Sequence, residues 1–130
     1  MNKNLSVEAV STAKAPAPIG PYSQGVVAGG LLFVSGQIPL HPETGLFVEG
    51  GIAEHTSQCM KNIAAIAKAA GTDLGRAVKL TIFLLDMKDF PVVNDVYAGF
   101  FEGPPPARAV VQVAGLPKNA TIEIEAVIAM

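Results

Sequence analysis

The chain has 130 residues, enough for one domain spanning 1–130, and half of them are hydrophobic while only 15% are charged. So short a chain has much surface for its volume, so part of this apolar surface is expected between the subunits of a homo-oligomer. The formal charge of −2 comes from nine Lys and Arg against eleven Asp and Glu, with no basic run, which disfavours the concentrated basic patch of a nucleic-acid binder.

Ser6 to Ser11 alternates weakly and reads as a first strand. Ala15 to Pro21 carries Pro16, Pro18 and Pro21, which lack the amide donor a helix needs, so it is a stiff loop. Tyr22 to Ala28 and Leu31 to Gln37 are β-rich runs joined by Gly29-Gly30, a hairpin signal. Pro42 to Gly45 is a further turn. Ile52 to Ala70 has the clearest helical pattern, with Ile52, Cys59, Ile63, Ile66, Ala67 and Ala70 on one stripe and Gly71 suited to the C′ position. After a turn at Thr72 to Arg76, Ala77 to Leu85 reads as a strand. A second helix is expected over Phe90 to Phe101, with Asp89 as N-cap, Pro91 at N1 and an apolar stripe of Val93, Val96, Tyr97 and Phe100. Pro104 to Pro106 stop it. Strands at Ala107 to Ala114 and Thr121 to Ala129 close a β-β-β-α-β-α-β-β order. This suggests an α+β fold, a mostly antiparallel sheet with two helices on one face.

Arg108 is the residue with the most unusual setting. It follows three prolines and opens the apolar run Ala109-Val110-Val111. An unpaired guanidinium in such surroundings is costly, so it needs a partner. A structural ion pair to Glu123 or Glu125 is the commoner explanation, because such pairs outnumber functional arginines. The alternative is a ligand carboxylate, which the planar fork of arginine matches bidentately. In the last strand Ile122, Ile124, Ala126 and Ile128 share one face. Glu123 and Glu125 share the other, about 7 Å apart. That is the usual look of a solvated face, although a glutamate kept dry could position or activate water.

Tyr22 follows the rigid proline-rich loop, Ser35 and Gly36 end an apolar strand, and Asn94 lies early in the second helix; singly, each is ordinary. Cys59 sits on a core stripe and is the lone cysteine, so neither a nucleophile nor an intrachain disulfide is expected. His41 and His55 lack ligand-spaced companions, so no metal is expected. No nucleotide-binding or serine-hydrolase motif appears. Met1 to Pro16 lacks the apolar centre of a signal peptide. No stretch approaches the roughly 18 apolar residues of a membrane span. A cytoplasmic protein without membrane partners is expected.

Taken together, Ile19-Gly20-Pro21-Tyr22-Ser23-Gln24, Val34-Ser35-Gly36-Gln37-Ile38-Pro39, Asn94-Asp95-Val96-Tyr97, Pro106-Ala107-Arg108-Ala109 and Ile122-Glu123-Ile124 resemble the Rid family, also called YjgF or L-PSP. The resemblance runs in order over nearly the whole chain. It implies a chorismate-mutase-like fold, a homotrimer with sites between subunits, and cofactor-free hydrolysis of 2-imino or enamine acids such as 2-aminoacrylate to 2-keto acids and ammonia. It further implies that Arg108 grips the substrate carboxylate and Glu123 serves the attacking water. Tyr22, Ser35, Gly36 and Asn94 would line the pocket. Many relatives carry a cysteine where this chain has Val110, so any side-chain role there does not transfer and the contribution would come through the backbone. Ala109 likewise replaces a frequent serine. Two other readings accompany the family: an endoribonuclease or translation inhibitor, and a trimer that binds small keto acids without turnover.

Overall fold

A computed structural model describes residues 6–130. Its strands are β1 (Glu8–Val10), β2 (Gly25–Ala28), β3 (Leu31–Gln37), β4 (Ala77–Leu84), β5 (Ala107–Gln112) and β6 (Ile122–Ala129), with helices α1 (Ile52–Ala70) and α2 (Phe90–Ala98). The strands form one sheet in the order β1-β2-β3-β6-β4-β5. All neighbours are antiparallel except β4 and β5, which run parallel with α2 as the crossover between them. The expected α+β arrangement is therefore present, in a mixed sheet.

The local signals act as read at most positions. Gly29 and Gly30, at φ 59° and 77°, make the β2–β3 hairpin turn that demands positive φ at both central residues. Helix α1 covers the expected span and ends at Gly71, which at φ 93° lets its N–H reach the carbonyls of Ala67 and Lys68. At its start the Glu54 carboxylate accepts from the Gly51 N–H at 2.8 Å, and that bond holds the Glu54 carboxyl below the usual carboxylate range.

Helix α2 starts at Phe90 as expected and departs from expectation in its cap and at its end. Asp89 is not a capping side chain, because a single 3₁₀ turn (Met87–Asp89) precedes the helix and Asp86 caps that turn by accepting from the Lys88 N–H at 2.9 Å. The helix stops at Ala98 because the next bonds tighten to three-residue spacing, from Gly99 to Val96 and from Phe100 to Tyr97.

The core lies between the helices and one sheet face. Leu32, Leu80, Ile82, Leu84, Ile122, Ile124 and Ile128 pack from the sheet against Met60, Ile63 and Ile66 of α1 and Val93 of α2, all fully buried. Each such side chain contributes about 1.5–3 kcal/mol of burial. The strand register puts Val26, Phe33, Val127, Phe83 and Val111 on the opposite face, where no helix covers them. Phe33 is 46% exposed there. The surplus of apolar residues noted in the sequence thus has a location. No helix among the described residues is long and apolar enough to cross a membrane.

Candidate functional site

The first part of the site is cut into the uncovered sheet face. Between the pairs Val34–Ala126 and Gln37–Ile124, two residues of β3, Ser35 and Gly36, oppose the single residue Glu125 of β6. This is a β-bulge, a device that re-aims side chains. At Gly36 an added Cβ would collide with a carboxylate oxygen of Glu123 and lie 2.8 Å from its Cδ. Only glycine lets the Glu123 carboxyl lie against the β3 backbone. Glu123 is half-buried, and burial pushes its carboxyl above the ordinary range, with the neighbouring Glu125 charge acting in the same direction.

Over this carboxyl lies a cavity of about 270 Å³ walled by Ile19, Tyr22, Ser35, Ile38, Leu40 and Pro117. Tyr22 accepts from the Ile19 N–H through its hydroxyl at 3.2 Å, which leaves its own proton free to donate. The Ser35 hydroxyl donates to the Ser23 carbonyl at 2.6 Å and so ties the wall together. Gln24 holds the proline-rich loop from within. Its Nε2 donates to the carbonyls of Thr12, Ala15 and Pro16 at 3.0, 3.2 and 2.8 Å, and its Oε1 accepts from the Thr12 N–H at 2.7 Å. Every polar group of this buried amide is used, so the loop carrying Tyr22 is pinned to the start of β2.

The second part lies on the helix side of the other end of the sheet. Arg108 is the second residue of the end strand β5, where it pairs with the core residue Leu80 of β4. Paired residues of parallel strands face the same side, so its side chain turns toward α2. There Nη1 donates to Asn94 Oδ1 at 2.8 Å. The guanidinium carbon lies 5.0 Å from the Tyr97 ring centre and 5.6 Å from that of Phe90. These three contacts are all neutral. A groove of about 740 Å³ bounded by Asn94, Asp95, Tyr97, Phe101, Pro105 and Pro106 opens beside the guanidinium.

A family model described as Endoribonuclease L-PSP matches residues 12–130. The chain belongs to this Rid family. It is 53% identical over 124 residues to the RutC family protein y4sK of Sinorhizobium fredii, covering 95% of this chain and 98% of that one. It is 51% identical over 118 residues to the Homo sapiens 2-iminobutanoate/2-iminopropanoate deaminase, covering 91% and 86%. The crystal structure of E. coli TdcF with bound serine superposes with a TM-score of 0.90 at 40% identity, covering 95% of this chain and 98% of that one.

Within the single chain of this Rid protein the expected site residues form two groups. Tyr22, Ser35, Gly36 and Glu123 meet at one cavity, whereas Asn94 and Arg108 border the other. An ion pair of Arg108 with Glu123 or Glu125 is not what the strands build. Those glutamates project from β6 to the opposite face, on the far side of β4. Val110 borders neither cavity and its side chain packs against the core. Its backbone is another matter. Val113 donates to the Leu84 carbonyl at 2.9 Å, so by strand alternation Arg108 and Val110 point their N–H and C=O groups off the free edge of the sheet.

Gln24, Phe90 and Tyr97 escaped sequence reasoning. Tyr97 looked like a core position, and it is buried. Its second role was signalled only by the spacing Phe90, Asn94, Tyr97, which is one helix face at i, i+4, i+7.

Proposed function

We propose that this Rid protein hydrolyses 2-imino and enamine acids of the 2-aminoacrylate type to 2-keto acids and ammonia. The observation that carries this reading is the state of Arg108. Its guanidinium is oriented by a neutral amide and two rings, and so is left for an anion from outside the chain. A small carboxylate suits it, since four of its five N–H groups stay free of Asn94 and include a parallel pair for a bidentate grip. An imine carbon is already electrophilic, so catalysis reduces to orientation, a placed water and proton transfer. An enamine first takes a proton at C3 and becomes the 2-iminium acid. Glu123 then takes a proton from water as it adds to C2 and passes that proton to the amine nitrogen. The carbinolamine expels ammonia as its hydroxyl proton returns to Glu123, leaving the keto acid.

The two half-sites suit a pocket closed by a second copy of the chain, with the arginine groove of one protomer set against the glutamate cavity of its neighbour. The free edge of β5 and the uncovered apolar face supply surface for that contact, and we propose the homotrimer. Identity of 51% to a protein named for this deamination supports the reaction class.

The test generates 2-aminoacrylate with a pyridoxal-dependent dehydratase and follows pyruvate release. Wild type is expected to accelerate release, and Arg108→Ala to lose about 10²–10³-fold in kcat/KM. Equal rates with the variant, or no acceleration by wild type, would overturn the proposal. The endoribonuclease reading requires cleavage of RNA by nuclease-free protein. The scattered basic residues lead us to expect none.

A further inference from the structure

We propose that Tyr97 is a positioning residue for Arg108, its ring fixing the plane in which the guanidinium meets the substrate carboxylate. The identity of that carboxylate rests on the deaminase reading above. A bidentate grip works only in one plane, and an arginine on an exposed edge strand is otherwise free to rotate about several bonds. Helix α2 restrains it at three points on one face. Asn94 takes one Nη1 hydrogen, and the rings of Phe90 and Tyr97 hold the flat of the cation at 5.6 and 5.0 Å. Both distances fall within the roughly 6 Å over which a ring attracts a guanidinium.

The two rings are not equivalent. Phe90 is half-exposed at the start of the helix, whereas Tyr97 is 4% exposed and braced by Phe101, whose ring centre is 5.0 Å away at a tilt of 52°. Tyr97 is therefore the ring that cannot move. Its hydroxyl is buried without a hydrogen-bond partner, and burial raises its pKa against the opposing effect of Arg108. A lone buried hydroxyl is a cost to folding. The ring and the hydroxyl can therefore be separated by substitution.

The experiment compares Tyr97→Phe, Tyr97→Leu and Tyr97→Met. It measures KM and kcat for imino-acid hydrolysis, affinity for 2-ketobutyrate, and the Arg108 Nε–H resonance, which ring currents displace. Tyr97→Phe keeps the ring, so KM and the resonance should stay near wild type while thermal stability rises. Tyr97→Leu and Tyr97→Met should raise KM about tenfold with kcat little changed, weaken 2-ketobutyrate binding equally, and release the resonance toward its free position. The methionine variant fills the space flexibly and guards against a folding failure of the leucine one. A folded ringless variant with wild-type KM and an unmoved resonance would overturn the proposal. If wild type neither turned over imino acids nor bound the keto acid, the deaminase reading alone would fall, since the resonance reports the Tyr97–Arg108 contact without a substrate.

Discussion

The glutamate cavity is cut into the middle of the sheet, whereas the arginine groove lies at its edge. Glu123 sits on β6, flanked by β3 and β4, between the fully buried Ile122 and Ile124, with its carboxyl shaped by a bulge and a missing Cβ. Arg108 is the second residue of the end strand and is held by side chains of a nine-residue helix. One half is placed by backbone and the other by side-chain contacts. Their chemistry differs as well. Among the described residues, the cavity with Glu123 is lined by no cation, whereas the groove with Arg108 is lined by Asp95.

The comparison breaks most sharply if the halves belong to different protomers. Arg108→Ala and Glu123→Gln, each nearly inactive alone, should recover activity when unfolded together and refolded as mixed assemblies. Random mixing leaves about a quarter of sites with both residues intact, and this fraction is read from the specific activity. No recovery would place both residues in one protomer's site.

On the backbone-placed side, Gly36→Ala should displace the Glu123 carboxyl and lower kcat by about 10–100-fold with the chain still folded, as checked by circular dichroism and kinetics. Gln24→Leu leaves the Thr12 amide and the carbonyls of Ala15 and Pro16 without their partners. It should cost about 1–3 kcal/mol in denaturant unfolding and raise KM through a looser Tyr22.

The smallest expected effect concerns stability against pH. A carboxyl raised by burial opposes folding once it ionises. That cost is absent below the ordinary carboxylate range and complete above the raised value of Glu123. Glu123→Gln should therefore melt higher than wild type at pH 7, with the gap closing toward pH 4. An ionised Glu123 acting on water also places the acidic limb of activity above the ordinary carboxylate range. A limb that stays in place in Glu123→Gln would assign it to another group.

Much of this was legible in the sequence because it is local. The span of α1 follows from its stripe and from Gly71, and the faces of β6 follow from strict alternation. The errors at α2 are local too. Asp86 and Asp89 compete for one role, and the bond pattern beyond Gly99 decides where the helix ends. What was not legible depends on long-range pairing. The insertion of β6 between β3 and β4 has no counterpart in the order of the chain, yet it sends Glu123 and Arg108 to opposite faces and removes the salt bridge that the sequence left open.

The placement of β5 has a further consequence, for heat. An end strand paired on one side only opens at a lower free energy than a central one, and amide exchange should show β5 protected less than β6. Warming would then release Arg108 while Glu123 is still held. Loss of turnover should begin below the melting temperature of the sheet, and cooling from that interval should restore it in full.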